Sequence, residues 1–135
     1  MILLDTNIVA ELSRPSPNPV VERWAATVKP PFGFSVVSLE EVRYALSWRP
    51  TPRAELWFSE FLAGFCSLLP VTDAVARRAG DLRGRFQAAG ETRTQADMLI
   101  AATALEHQLP LATRNTRDFS GCGVALVNPF TATLV

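Results

Sequence analysis

The sequence predicts an α/β protein of three layers, with helices on both faces of a central sheet whose short strands are mostly parallel. Short apolar segments alternate with longer segments of helical periodicity along the whole chain, as they do in parallel sheets. The ten prolines fall between these segments and divide the chain into elements. With 135 residues, of which 48% are hydrophobic, the chain has the length of one domain and enough apolar residues to form a core.

The first half of the chain is predicted to contain two strands and three helices. The apolar segment Ile2–Leu4 predicts the first strand, and Thr6–Leu12 predicts the first helix, which a turn-rich segment follows. Val20–Val28 has the pattern of a second helix, and Phe32–Val36 is a second apolar strand. Ser38–Trp48 is predicted to be a helix that ends at the prolines that follow it.

The second half is predicted to contain three more helices. Across Arg53–Cys66, apolar residues recur at intervals of three and four positions, which is the pattern of an amphipathic helix. Leu68–Val71 is predicted to be a strand or a strand-like connection. The next helix spans Thr72–Ala89 with Gly90 as its C-cap, and a strongly apolar helix spans Thr94–His107. Two short strands complete the prediction, at Leu111–Thr113 and Val124–Val127.

Composition and charge exclude several classes of protein. The 13 basic and 13 acidic side chains give a formal net charge of zero, which excludes a wholly basic nucleic-acid binder but not a local basic patch. Two cysteines are too few for a disulfide scaffold or a cysteine-rich zinc site. The apolar start ends at Asp5, too early for a signal peptide, and the longest apolar stretch, Met98–Leu105, is too short to span a membrane. We therefore expect a cytoplasmic protein with reduced thiols and no membrane partner.

Acidic side chains stand near the start of four helices in this prediction. Asp5 directly follows the first strand, Glu41 and Asp97 open two later helices, and Asp118 follows the strand at Leu111–Thr113. In parallel sheets, functional sites form outside the carboxyl ends of the strands, where helices begin. If these helix starts converge, like charges meet in one cleft and require a cation. Mg²⁺ and Mn²⁺ prefer oxygen ligands, whereas a single histidine argues against zinc.

Helix capping is the alternative explanation for each acid taken singly. Two pairs have the spacing of a capping box, namely Ser38 with Glu41 and Thr94 with Asp97. Asp5 fits a plain N-cap, and Asn115 with Asp118 fits the cap of a last helix. Capping is the weaker explanation for Asp5, because this residue ends a strand predicted to be central, where an uncompensated carboxylate is poorly solvated.

Other phosphate chemistry and nucleophilic catalysis find no support in the sequence. A phosphoaspartyl phosphatase requires a second aspartate two residues after Asp5, where Asn7 stands. The sequence has no glycine-rich phosphate loop that ends in Lys-Ser or Lys-Thr, so it is not a P-loop NTPase. It also has no Gly-x-Ser-x-Gly elbow, which excludes that class of hydrolase.

The four acidic segments, read in order, resemble a known family. They are Met1–Asn7 (MILLDTN), Ser38–Tyr44 (SLEEVRY), Ala96–Ala104 (ADMLIAATA) and Ala112–Phe119 (ATRNTRDF). Together they resemble the PIN-domain ribonucleases, above all the VapC/FitB-like toxins of type II toxin–antitoxin pairs. The resemblance covers nearly the whole chain, as far as Asn128–Phe130, and its strength lies in the order and combination of the motifs.

This resemblance implies a fold, an activity and partners. The fold is a single PIN domain over residues 1–135, a PIN-like α/β/α arrangement. The activity is that of a Mg²⁺- or Mn²⁺-dependent endoribonuclease toxin, often directed at tRNA or rRNA. The implied partners are a second copy in a homodimer and a small cognate antitoxin that blocks the activity. Operator DNA is expected to be bound only through that antitoxin.

The resemblance also assigns roles to residues of this chain. Asp5, Glu41 and Asp97 match the three most regular acidic positions of the family. At the fourth position Asn115 stands where some members have an acid, and Asp118 is the alternative supplier. Small polar positions that orient the acids or a bound water are matched by Thr6, Asn7 and Thr113.

We predict metal-assisted phosphodiester hydrolysis from these roles. Asp5 and Asp97 would bind the metal directly, and Glu41 would complete the site or orient the attacking water. Asp118, or Asn115 through water, would support a second ion.

Basic and aromatic residues supply further hypotheses. Arg114 and Arg117 flank the fourth junction and are predicted to contact the substrate. Five more arginines form either a solvated face or a ledge for the RNA backbone, namely Arg77, Arg78, Arg83, Arg85 and Arg93. Five aromatic residues form either core or a groove for an amphipathic antitoxin segment, namely Trp48, Trp57, Phe58, Phe61 and Phe65.

Two other functions stay open at this point. One is a catalytically weak PIN domain that acts as a regulatory partner in a DNA-bound complex, which Asn115 at the fourth junction favours. The other is an RNA-processing PIN nuclease that has no antitoxin. Carboxylate-dependent metal binding separates the first from a nuclease, and the neighbouring gene separates the second from a toxin.

Overall fold

A computed structural model describes residues 1–132, so residues 133–135 of the predicted domain lie outside the described range. The strands are β1 (Leu3–Leu4), β2 (Phe32–Ser35), β3 (Cys66–Leu69), β4 (Leu111–Ala112) and β5 (Leu126–Val127). In the described residues they form one sheet in the order β3-β2-β1-β4-β5, and every pairing is parallel. The predicted short-stranded parallel sheet is therefore confirmed, and the connection predicted at Leu68–Val71 is a strand that begins at Cys66.

Six helices accompany this sheet within residues 1–132. They are α1 (Thr6–Leu12), α2 (Pro19–Val28), α3 (Val36–Trp48), α4 (Pro52–Phe65), α5 (Asp73–Ala88) and α6 (Gln95–His107). Each overlaps a helix that the sequence predicts. None of these helices has both the length and the apolar character needed to cross a membrane, within the part of the chain that is described.

The predicted last helix, with Asn115 and Asp118 as its caps, is wrong. Thr116–Phe119 forms only a single 3₁₀ turn, and the Asn115 side chain makes no capping hydrogen bond to it. Gly121 lies two residues beyond the turn with a φ of +80°, which a right-handed helix does not allow. The chain therefore turns back toward β5 before a longer helix can form.

The two faces of the sheet bury two separate clusters of apolar side chains, as a three-layer fold requires. Successive residues of a strand point to opposite faces, so Leu3 packs with α5 and α6 whereas Leu4 packs with α1, α2 and α4. In β4, Leu111 and Ala112 divide in the same way. The apolar α6 is covered as predicted, since most of its residues from Met98 onward are buried. The central strand is consequently enclosed on both sides.

The start of α3 differs from the prediction. The helix begins at Val36, because the Ser35 side chain accepts a hydrogen bond from the Val37 N–H at 3.0 Å. Ser38 is therefore inside the first turn, and Glu41 is in the second turn. The predicted capping box of Ser38 and Glu41 is wrong, so the position of Glu41 needs another explanation.

The connection between α5 and α6 follows the predicted capping pattern. Gly90 has a φ of +84°, and the Glu91 N–H donates to the Phe86 carbonyl at 2.8 Å, which closes α5 in a Schellman arrangement. Thr94 then caps α6 by accepting from the Asp97 N–H at 3.1 Å. The short loop between α5 and α6 is thus fixed at both of its ends.

Candidate active site

The carboxyl end of the central strand β1 lies between the ends of its two neighbours. Leu4 pairs with Ala112 of β4 on one side and with Phe34 of β2 on the other. The residues that follow these positions therefore share one edge of the sheet. Asp5 and Thr113 are the first residues after β1 and β4, which brings them together across the sheet from distant parts of the chain.

Three hydrogen bonds hold the Asp5 carboxylate in one orientation. Its Oδ1 accepts from the Thr6 N–H at 2.8 Å, and its Oδ2 accepts from Asn7 Nδ2 at 3.0 Å and from Thr113 Oγ1 at 2.8 Å. The Asp5 residue is only 5% exposed. Burial raises the pKa of Asp5, these hydrogen bonds lower it, and the negative charge of Glu41 raises it. The Asp5 carboxylate is thus buried and held in one orientation by these three donors.

Glu41 reaches this edge from the second turn of α3. The Thr6 hydroxyl donates to Glu41 Oε1 at 2.7 Å, so Thr6 links α1 to α3. The same residue donates its N–H to Asp5. Glu41 is therefore positioned by a side chain next to Asp5, and not by capping its own helix.

Asp97 lies in the first turn of α6 and is partly buried. Burial raises the pKa of Asp97 to about 6, hydrogen bonding to Thr94 lowers it, and the charges of Asp5, Asp118 and Glu41 raise it further. All three other acids are thus close enough to Asp97 to repel its charge. The predicted convergence of four acidic segments is present as an electrostatic cluster.

The loop after β4 is fastened to the same cluster by its backbone. The Arg114 N–H donates to Asn7 Oδ1 at 3.1 Å, and the Asn115 N–H donates to Thr113 Oγ1 at 3.0 Å. The exposed side chain of Asn115 makes no cap, whereas Asp118 lies on the turn that follows and repels Asp97. Asn7 and Thr113 therefore connect this loop to Asp5.

The two predicted substrate contacts differ in their surroundings. The Arg114 guanidinium lies over the Phe130 ring, 4.3 Å from its centroid, beside the acidic cluster. Arg117 is exposed on the 3₁₀ turn, next to Asp118. Both arginines thus lie on the segment after β4 that also carries Asp118.

Comparison with known families agrees with this arrangement. The model of the PIN domain family matches residues 2–122. The chain belongs to the PIN-domain family. Two relatives match this PIN domain along nearly its whole length. "VapC ribonuclease Y4jK" of Sinorhizobium fredii is 31% identical over 96% of this chain and 98% of its own length. "Toxin FitB" of Neisseria gonorrhoeae is 32% identical over 96% of this chain and 99% of its own.

Two solved structures that are similar to this PIN domain are structures of complexes. FitAB bound to an IR36 DNA fragment is 30% identical, with a TM-score of 0.83 over 99% of both chains. A toxin–antitoxin complex from Klebsiella pneumoniae is 26% identical, with a TM-score of 0.73 over 96% of this chain and 98% of that one. The α/β fold of this PIN domain is therefore that of the VapC/FitB toxins.

The donor set of this PIN domain fits a magnesium-type ion. Within residues 1–132, no three side chains among His, Cys, Asp and Glu come close enough together to enclose a metal on their own. Mg²⁺ does not need such an enclosure, because it keeps several waters and binds one or two carboxylates together with substrate phosphates. Asp5 and Asp97 supply hard oxygen donors. Burial is the largest cause of the raised pKa of each, and the negative charge of Glu41, which a cation would offset, raises both further.

Sequence patterns missed two features near the site. Ser38 is fully buried, and its hydroxyl has no hydrogen-bond partner in the described part of the chain. Arg93 was grouped with the arginines of α5 by charge alone, but its guanidinium donates to the carbonyls of Asp118 and Ser120. Only its place between the α5 C-cap and the Thr94 N-cap sets Arg93 apart in the sequence.

Proposed function

We propose that this PIN domain is a divalent-metal-dependent endoribonuclease toxin that hydrolyses phosphodiester bonds of RNA and is neutralised by a cognate antitoxin. The observation that carries the proposal is the Asp5 carboxylate, buried and oriented by three hydrogen bonds beside Glu41 and Asp97. Its sequence relatives, a VapC ribonuclease and a FitB toxin, support the same activity. We further propose that residues 1–135 act as one cytoplasmic domain within a homodimer, and that tRNA or rRNA is the substrate.

The chain's own residues divide the work in this proposal. Asp5 and Asp97 would hold Mg²⁺ or Mn²⁺, with Asp118 in support or Asn115 acting through water. When bound, the ion lowers the pKa of its water and offsets charge on the scissile phosphate. Thr113 and Asn7 keep the Asp5 oxygens in one orientation. Thr6 holds one oxygen of Glu41, which leaves the other oxygen to orient the attacking water.

Arg114 is proposed as the phosphate contact beside the acids, with Arg117 as a second. The Phe130 ring fixes the Arg114 guanidinium at the border of the site.

Arg114→Gln is expected to weaken RNA binding about threefold and to lower the salt slope of binding by about one unit. The measurement is RNA affinity of a cleavage-inactive form across a salt series. Arg23→Gln, which removes an exposed arginine of α2, is the matched control. Equal salt slopes for both variants would refute the contact.

An antitoxin segment is proposed to cover the groove next to Glu41. A cavity of about 150 Å³ opens between α1, α3 and α4, and its lining includes Thr6, Glu41 and Phe58. On the same helices Tyr44 and Trp48 are 67% and 69% exposed, which is unusual for large aromatic side chains. An amphipathic segment would bury these rings and end at the acids. Operator DNA would be bound only through that partner. The similar structure of FitAB bound to a DNA fragment supports a DNA-bound complex. Of the other aromatic residues predicted to form core or groove, Phe58 and Phe61 are buried, Trp57 is partly buried and Phe65 is 47% exposed.

Expression of the chain alone in bacterial cells tests the proposed function. We expect growth arrest and new RNA 5′ ends at a few defined sites, which disappear when the small protein encoded beside its gene is co-expressed. The absence of new ends, together with a complex that binds DNA, would favour the regulatory alternative. New ends that persist in the presence of the neighbouring protein would favour an RNA-processing nuclease.

A further inference from the structure

The loop that joins α5 to α6 carries an arginine whose side chain points back across the fold. The left-handed Gly90 and the bond from the Glu91 N–H to the Phe86 carbonyl fix one end of this loop. The capping side chain of Thr94 fixes the other end. Arg93 lies between these two fixed points, so its backbone position is set by the ends of both helices.

The Arg93 guanidinium is held on three sides. Its Nη1 donates to the Asp118 carbonyl at 2.9 Å, and its Nη2 donates to the Ser120 carbonyl at 2.9 Å and to Glu91 Oε2 at 3.0 Å. The guanidinium carbon lies 3.9 Å from the centroid of the Phe86 ring. The Arg93 side chain is only 12% exposed. These contacts use the planar, forked geometry of arginine, which a lysine cannot reproduce.

The segment that Arg93 contacts is weakly held by its own bonds. The turn Thr116–Phe119 has no side-chain cap at Asn115, and its bonds from the Asp118 and Ser120 N–H groups measure 3.0 and 3.3 Å. A 3₁₀ turn of one cycle has poorer hydrogen-bond geometry than an α-helix. The Nη1 and Nη2 groups of Arg93 donate to the carbonyls of Asp118 and Ser120, near the C-terminal end of this turn. The clamp therefore limits how far the Asp118 backbone can move.

We propose that Arg93 is the positioning residue that holds Asp118 at the acidic cluster, in fixed relation to Asp97. This inference rests on the proposed nuclease function, because it assigns Arg93 to the same site. Arg93 directly precedes the Thr94 cap of α6, and Asp97 lies in the first turn of that helix. The segment Arg93–Thr94 thus makes two kinds of contact. Thr94 caps the helix that carries Asp97, and Arg93 donates hydrogen bonds to the turn that carries Asp118 and to the residue after it. Arg93 itself touches neither the reacting atoms nor the metal in this assignment.

A double-mutant cycle tests whether Arg93 acts through Asp118. Arg93→Ala is expected to lower kcat for RNA cleavage and Mn²⁺ affinity by about 10-fold to 100-fold, with KM for RNA changed less than about twofold. In an Asp118→Asn background the same substitution is expected to cause almost no further loss, because both act at one point. Added guanidinium ion is expected to restore part of the loss in Arg93→Ala, and Arg93→Lys is expected to restore little.

Two controls separate positioning from general destabilisation. Glu91→Gln keeps both carbonyl contacts of Arg93 and is expected to stay near the wild type. Arg23→Ala removes an exposed arginine of α2 and is also expected to stay near the wild type. Hydrogen exchange in Arg93→Ala should rise in residues 116–120 and stay unchanged in α6.

The possible outcomes distinguish this inference from the proposed function. Losses that add fully in the double mutant, or unchanged exchange in residues 116–120, would overturn the role of Arg93. If the wild-type protein cleaves no RNA, the proposed function fails. Mn²⁺ affinity and hydrogen exchange then still decide whether Arg93 positions Asp118.

Discussion

Asp5→Asn is expected to lower RNA cleavage by about 1,000-fold while the protein stays folded. Metal-assisted stabilisation of a phosphoryl transition state supplies several kcal/mol, and each 1.36 kcal/mol changes the rate about tenfold. Asparagine has nearly the same shape as aspartate, so its amide oxygen still accepts from Thr6 or Thr113. It loses the negative charge that a cation requires. Initial rates on a defined RNA, with metal titrated by calorimetry, measure both effects.

The control for this substitution is an acid that lies outside the cluster. Asp73→Asn removes a carboxylate of α5 that is highly exposed and pairs with Arg77. It is expected to leave cleavage within about twofold of the wild type, because exposed ion pairs contribute little. Rates for Asp5→Asn equal to those for Asp73→Asn would show that the buried carboxylate takes no part in the reaction.

Raising the pH from about 4 to about 7 without divalent metal is expected to remove a stabilising contribution of Asp97 on the order of 2 kcal/mol, after allowance for solvent screening. The pKa of Asp97 is about 6 in the folded protein against a reference of 3.8. Between these values the folded state binds a proton that the unfolded state has released. The contribution is therefore present at low pH and is lost as pH rises through about 6.

The free energy of unfolding is measured with denaturant in EDTA across this pH range, for the wild type and for Asp97→Asn. The difference between the two curves of stability against pH gives the contribution of Asp97. The Asp97→Asn curve is expected to rise relative to the wild type between pH of about 4 and about 6 and to stay higher above that. Added Mn²⁺ should stabilise the wild type above that pH and leave Asp97→Asn nearly unchanged. Parallel curves for the two proteins would mean that repulsion among the acids does not affect folding.

The sequence was sufficient to predict the helices, the strands and the edge of the sheet at which the candidate site lies. It was not sufficient to predict which side chains contact one another. The apolar run Ile2–Leu4 and the helical periodicity of Arg53–Cys66 both reflect burial, and burial can be predicted from residue type. The start of α3 was wrong by two residues because Ser35 and Ser38 both have cap chemistry. Nothing local distinguishes them, since the pairing of β2 with β3, in which Ser35 lies opposite Leu69, decides which serine ends the strand.

In the candidate site too, some residues were predictable from the sequence, whereas the contacts between them were not. Asp5 and Asp97 were predicted from their places after a strand and at a helix start, and Thr113 was predicted from the resemblance to the PIN-domain ribonucleases. The bond from Thr6 to Glu41 joins residues 35 positions apart, and those from Arg93 to the 3₁₀ turn span 25 and 27 positions. Such contacts depend on the packing of whole helices, which residue spacing does not encode. The aromatic residues show the same limit, because Trp48 and Phe58 have similar patterns but opposite exposure.

The bond between Asp5 and Thr113 joins residues 108 positions apart. During translation, Asp5 leaves the ribosome early, but Thr113 and the strand β4 that precedes it follow only after most of the chain has been made. A truncated product that stops before β4 has an open edge on its central strand and lacks the hydroxyl that orients the first carboxylate. Under the proposed function, only chains that are nearly complete can therefore assemble the site.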